Sequence, residues 1–189
     1  MRYPYSRPDI SEADVKLALE VLQSQFLTQG PFVEKLEEAL KSTFNVKYAV
    51  VCNSGTAALH MAYFGIGLGP AKGLITSPVT FLATANAARM CDAPVGFADV
   101  DPTTGNMTLS SIKDAVASSP FNVGAIALVH LGGRPCDDIA EIRDFCHLNK
   151  IFLIEDACHA PKATYVDSVG RKFIVGACEH SDAATMSFH

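Results

Sequence analysis

The chain has 189 residues, 49% of them hydrophobic and only 19% charged, which is enough apolar material for one large globular domain and excludes intrinsic disorder. Fifteen Lys and Arg against 20 Asp and Glu leave a formal charge of -5 without any basic run, so a nucleic-acid or anionic-membrane partner lacks its electrostatic footprint and a small partner is expected. Six cysteines without a CxxC pair, no charged-then-apolar leader and no unbroken apolar run of about 18 residues predict reduced thiols, a cytoplasmic location and no transmembrane helix.

Ser11 followed three residues later by Asp14 forms a capping-box pattern, and Val15, Ala18, Leu19 and Leu22 fall on one face of a helix over 12–24. The Leu27-Thr28-Gln29-Gly30-Pro31 segment punctuates the chain. Behind it Phe32 or Val33, Leu36, Leu40 and Phe44 repeat at helical spacing, with Pro31 suited to a first turn. From about residue 47 short apolar runs at 48–52, 74–76, 95–98, 125–129, 151–154 and 183–188 read as buried strands. Amphipathic stretches at 56–66, 81–91, 110–117 and 137–148 read as helices, with Ser110 and Asp137 as N-caps for the last two. The alternation predicts a three-layer α/β/α fold on a mostly parallel sheet. Residues 163–175 break the rhythm as a small hairpin, and no internal linker or repeat divides the chain.

Ligands of open α/β sheets collect at the carboxyl ends of strands, and three such places carry chemistry. After the first strand come Asn53-Ser54-Gly55-Thr56-Ala57. The amides that open the following helix form an anion cup for one phosphate, unless Ser54 or Thr56 merely caps the helix. No Gly-Lys-Ser/Thr follows, so this is no Walker loop, and Gly65, Gly67 and Gly69 follow a helix and read as its C-terminal loop. After strand 74–76 come Pro78-Val79-Thr80-Phe81, where Phe81 either stacks on a flat ring or packs in the core. After 151–154 come Glu155-Asp156-Ala157-Cys158-His159. Asp156 there suits a metal ligand, a general base, a counter-ion for a protonated ring nitrogen or a structural cap; ligand spacing for zinc is missing and no metal is expected.

An anion cup, an aromatic, an acid and a serine at strand ends of one sheet look jointly like a pyridoxal-phosphate site. Asn53-Ser54-Gly55-Thr56-Ala57-Ala58-Leu59, Pro78-Val79-Thr80-Phe81 with Ala83-Thr84-Ala85-Asn86, Asp99-Val100-Asp101, Val129-His130-Leu131-Gly132-Gly133, Glu155-Asp156-Ala157-Cys158-His159-Ala160 and Ser187-Phe188-His189 resemble, in order and wording, the DegT/DnrJ/EryC1/StrS family of sugar aminotransferases. The Leu27–Pro31 segment and 81–86 look most like the branch that aminates a UDP-4-keto-6-deoxy-N-acetylhexosamine in pseudaminic-acid synthesis.

The resemblance implies the large domain of the aspartate aminotransferase-like, fold type I superfamily over 46–189, preceded by a helical segment over 1–45 and lacking the family's small C-terminal domain. It implies pyridoxal 5'-phosphate as cofactor, with Ser54, Gly55, Thr56, Ala57 and Ser187 at its phosphate. Phe81 would stack on the ring, Asp156 pair with the ring nitrogen, and His159 sit near the phenolic oxygen. Asp156 and His159 are the catalytic candidates. The implied partners are a nucleotide sugar, an amino-acid donor such as glutamate, and a second copy in a homodimer. In this family the Schiff-base lysine follows Ser-Phe-His within a few residues, and this chain ends at His189, so an inactive fragment is expected. Relatives with histidine in place of that lysine dehydrate the sugar, and a non-catalytic cofactor- or sugar-nucleotide-binding chain is a further alternative.

Overall fold

The computed structural model describes residues 7–167 and 169–188. Its centre is a five-stranded parallel sheet of β1 (Gly73–Thr76), β2 (Val95–Phe97), β3 (Val123–Val129), β4 (Phe152–Asp156) and, after the antiparallel hairpin β5 (Thr164–Val166) and β6 (Lys172–Ile174), β7 (Ala183–Thr185). The strand order is β2-β1-β3-β4-β7. Both faces are covered, so Leu74, Ile75, Ala125 to Leu128, Leu153 and Ile154 are buried as continuous apolar runs rather than alternating ones.

The described residues form six α-helices, α1 (Glu12–Leu22), α2 (Pro31–Phe44), α3 (Gly55–Gly65), α4 (Ala83–Arg89), α5 (Leu109–Ala117) and α6 (Ile139–Leu148), of which α3 to α6 pack on the sheet. Side chains on a strand alternate between its faces. Ile126, Leu128 and Leu153 therefore meet Ile112 of α5 and Ile139 and Ile142 of α6 on one side. Leu74, Ala125, Ala127 and Ile154 meet Leu59 and Tyr63 of α3 and Ala83, Ala87 and Ala88 of α4 on the other. This is the expected three-layer arrangement. The second face is built largely of alanines, so α3 and α4 lie close to the sheet.

Several local expectations are corrected. Residues 48–52 form no strand: Tyr48 and Val50 are 74% and 68% exposed, and the Val51 N–H is taken at 2.9 Å by Glu37 Oε1 of α2. None of the described strands lies beside this run, and an extended apolar segment needs such a neighbour for its backbone groups. The last strand stops at Thr185 rather than 188, and α1 stops at Leu22 rather than 24. Its capping box forms as expected, with Asp14 N–H donating to Ser11 Oγ and Ser11 N–H to Asp14 Oδ2. The apolar face of α1 nevertheless stays exposed at Val15, Leu19 and Leu22. Thr108, not Ser110, caps α5, in a box with Ser111. Asp138, not Asp137, stands at the start of α6, and its Oδ2 accepts the Leu109 N–H at 2.9 Å, joining the two helices. Gly65 to Gly69 run out of α3 as expected, Gly67 taking a φ of 75°. All six cysteines are free thiols, and no described helix is long and apolar enough to cross a membrane.

Register brings the carboxyl ends of β3, β4 and β7 level, with Val129 opposite Asp156 and Asp156 opposite Thr185. A buried polar cluster locks them. Glu155 receives Ser181 Oγ at 2.5 Å on one oxygen and lies 3.0 Å from His130 Nε2 on the other. His130 Nδ1 accepts the Cys136 N–H at 3.1 Å, so the ring proton sits on Nε2 and is donated to Glu155. Replacing Glu155 by Ala strands both donors in a water-free interior. The Glu155→Ala chain is expected to lose about 3 kcal/mol of stability in urea unfolding, and Glu155→Gln, which keeps one acceptor, less. An unchanged unfolding midpoint for Glu155→Ala would contradict this.

Candidate functional site

The segment between residue 52 and α3 turns sharply so that the helix can start at the sheet's carboxyl edge. Ser54 is extended, with φ -164° and ψ 158°, and its Oγ accepts the Ala57 N–H at 3.1 Å. The cap and the cup therefore coexist: Ala57 is spent on Ser54, while the Gly55 and Thr56 amides lie in the first turn, where a helix offers no internal acceptor. Gly55 is favoured by close contact. A Cβ there would stand 3.2 Å from both Cys158 Sγ and Ser187 Cβ, so glycine lets the helix end rest against the ends of β4 and β7.

Opposite this helix end lies Asp156, the last residue of β4 and 5% exposed. Thr84 Oγ1 of α4 donates to its Oδ2 at 2.7 Å, and the Cys158 N–H donates to its Oδ1 at 3.3 Å. Phe81, in the turn between β1 and α4, lines the same cavity as Asp156. It is 69% exposed, which removes the core-packing reading and leaves an aromatic face at the cavity. The cavity, of about 350 Å³, is lined by Ser54, Gly55, Thr56, Leu59, Thr80, Phe81, Ala83, Val129, Asp156, Cys158, His159 and Ser187. A volume of that order holds a small cofactor.

Seven of the eight sequence-derived site residues thus meet in one cavity: Ser54, Gly55, Thr56, Phe81, Asp156, His159 and Ser187. Ala57 stands outside the lining, its N–H engaged as described. His189 and the position after it, where the lysine is expected, lie outside the described residues. No lysine lines the cavity among the described residues. The sequence reading passed over Thr80 and Thr84 as functional groups, although hydroxyls four residues apart across a helix start were a visible signal. Thr80 Oγ1 lies 2.8 Å from Thr84 Oγ1 and reaches the cavity.

Charge is arranged at the two ends. One end offers the first-turn amides of a helix N-terminus, which suits an anion. The other offers a buried carboxylate that accepts from the Thr84 hydroxyl and the Cys158 N–H, which suits a cationic N–H. Burial first, and the Asp156 carboxylate second, push the Cys158 thiol up, so it is no thiolate nucleophile. Burial first, and then Asp156, likewise raise the Tyr63 phenol, which stays neutral and donates to the Thr84 carbonyl at 3.2 Å.

Comparison with known proteins points to one family. The sequence model of the DegT/DnrJ/EryC1/StrS aminotransferase family matches residues 8–189. A UDP-4-amino-4,6-dideoxy-N-acetyl-beta-L-altrosamine transaminase of Campylobacter jejuni is 37% identical over 186 residues, covering 98% of this chain and 46% of that protein. Among solved structures, the Helicobacter pylori aminotransferase PseC, involved in the biosynthesis of pseudoaminic acid, superposes with a TM-score of 0.86 at 29% identity over 100% of this chain and 48% of its own. The PLP-form of the Streptococcus pneumoniae sugar aminotransferase Spr1654, described as putative, gives a TM-score of 0.83 at 25% identity, covering 100% of this chain and 49% of that one. The chain spans about half the length of these relatives.

The raised Cys158 thiol has a direct readout. Alkylation of Cys158 by iodoacetamide, followed by peptide mass spectrometry, is expected to be slow at pH 8 and to accelerate only well above pH 9. Asp156→Asn, which removes the neighbouring negative charge, should speed it. Complete modification within minutes at pH 8 would contradict the assignment.

Proposed function

The chain belongs to the DegT/DnrJ/EryC1/StrS aminotransferase family, and on that premise we propose that its cavity holds pyridoxal 5'-phosphate for transfer of an amino group, from glutamate, to C4 of a nucleotide-linked 4-keto-6-deoxy sugar. The observation that carries the reading is that the first turn of α3, the buried Asp156 carboxylate and the exposed Phe81 ring line one cavity. A phosphate, a flat ring and a protonated ring nitrogen need those three neighbours.

The Gly55 and Thr56 amides and the Ser187 hydroxyl hold the phosphate, with Ser54 bracing the helix end by its cap. Phe81 covers one face of the ring. Asp156 accepts the ring N–H and so holds a proton at that nitrogen. His159, on the same wall, holds the phenolic oxygen. When bound, the cofactor supplies an electron-accepting ring that stabilises charge on a carbon losing its proton. Leu59, Ala83 and Val129 keep that end of the cavity apolar, which strengthens the charged contacts made there.

Moving the amine also takes a lysine, which the described lining does not contain. Residues 1–45 serve as a helical segment and 46–189 as a cofactor-binding large domain. The complete enzyme works as a cytoplasmic homodimer on a nucleotide sugar and an amino-acid donor in surface-glycan or pseudaminic-acid biosynthesis. The names of the Campylobacter and Helicobacter relatives support that pathway.

Equilibrium dialysis of the 189-residue chain with pyridoxal 5'-phosphate is expected to show saturable binding, weakened about tenfold or more by Asp156→Asn and about tenfold by Phe81→Ala. Absence of binding, or equal affinity of Asp156→Asn, would overturn the cofactor reading. Amino transfer is tested in a longer form of the chain that carries the lysine. Conversion of glutamate to 2-oxoglutarate with a UDP-linked 4-keto sugar is expected, whereas sugar dehydration without glutamate consumption would replace transamination.

A further inference from the structure

Thr80, Thr84 and Asp156 form a chain of hydroxyl hydrogen bonds in the cavity floor. We infer that this chain makes Thr84 a positioning residue, which orients Asp156 so that the floor presents only acceptors and selects a ligand edge bearing a cationic N–H. The inference rests on the cofactor reading above and deepens it.

The direction of the chain follows from proton counting. Thr84 is fully buried, and its hydroxyl has one proton and two acceptors in reach: Asp156 Oδ2 at 2.7 Å and the Phe81 carbonyl at 3.2 Å. The shorter contact, to a carboxylate, takes the proton. The 2.8 Å contact between Thr84 Oγ1 and Thr80 Oγ1 must then be donated by Thr80. With its own proton committed inward, Thr80 meets the cavity with lone pairs alone. On the other side of the carboxylate, the Cys158 N–H occupies Oδ1. The Thr84 hydroxyl and the Cys158 N–H hold the carboxylate from the protein side, one on each oxygen, and what remains of Asp156 and Thr80 toward the cavity can only accept. A bare ring nitrogen would face lone pairs with a lone pair; a protonated one is matched.

Thr84 is itself held. Tyr63 donates to its carbonyl, and it sits in an alanine-rich helix between Ala83 and Ala85. This placement lets the hydroxyl be removed with little change in packing. Thr84→Val replaces it by a methyl of similar volume, Thr84→Ala removes it within a run of alanines, and Thr84→Ser keeps it.

The test uses pyridoxal 5'-phosphate labelled with 15N in the ring, bound to the 189-residue chain and read by NMR and by equilibrium dialysis. The unsubstituted chain is expected to show a protonated ring nitrogen. Thr84→Val and Thr84→Ala should bind about tenfold more weakly and move the nitrogen signal toward the unprotonated position, while Thr84→Ser restores both. If the unsubstituted chain binds but Thr84→Val and Thr84→Ala keep its signal and affinity, the positioning role is overturned and the cofactor reading stands. If Thr84→Ser loses both as Thr84→Val does, the role is one of packing and the inference is again overturned. If the unsubstituted chain does not bind, the cofactor reading falls and this inference with it.

Discussion

Two adjacent carboxylates end strand β4, between β3 and β7, and the pleat sends one into each layer. Glu155 and Asp156 are both buried, at 1% and 5% exposure. A buried carboxylate has to be given donors from the protein or be matched by a cation. The two are treated differently. Glu155 is closed off by Ser181 and His130 on the α5 and α6 side, which ties β3, β4 and the approach to β7 together. Asp156 receives the Thr84 hydroxyl and the Cys158 amide, and it lines a cavity. One carboxylate is structural; its neighbour is left with acceptor capacity for a ligand.

The cavity exists because of what packs around that strand end. Alanines on the α4 side of the sheet and on α4 itself bring the helices close, and Gly55 lets α3 begin in contact with Cys158 and Ser187. The first-turn amides of α3 then confront Asp156 across a space of about 350 Å³. A helix N-terminus and a carboxylate on one cavity wall favour a ligand with an anionic end and a cationic end. The polar contacts sit in apolar surroundings, where each is stronger than in water.

The layered parallel sheet was legible because buried strands in such sheets are short apolar runs, and 74–76, 125–129 and 151–154 carried that signal cleanly. The run at 48–52 carried it equally, yet forms no strand, because a strand is defined by a neighbour and sequence pattern does not supply one. The exposed face of α1 makes the same point: periodicity says which residues want burial, not what covers them. At the site, Ser54, Phe81 and Asp156 were visible as chemistry at strand ends. Their joint assignment came from the motif resemblance. The hydroxyl chain through Thr80 and Thr84 and the His130–Glu155 pair went unread, because they join residues 72 and 25 positions apart that only the register of β1, β3 and β4 brings together.

The central claim is that a single ligand bridges the α3 amides and Asp156. A crystal structure of the 189-residue chain soaked with pyridoxal 5'-phosphate tests it most directly. The account predicts the phosphate at the Gly55 and Thr56 amides, the ring against Phe81 and the ring nitrogen within hydrogen-bonding distance of Asp156. A phosphate bound elsewhere, or a ring nitrogen turned away from Asp156, would contradict it.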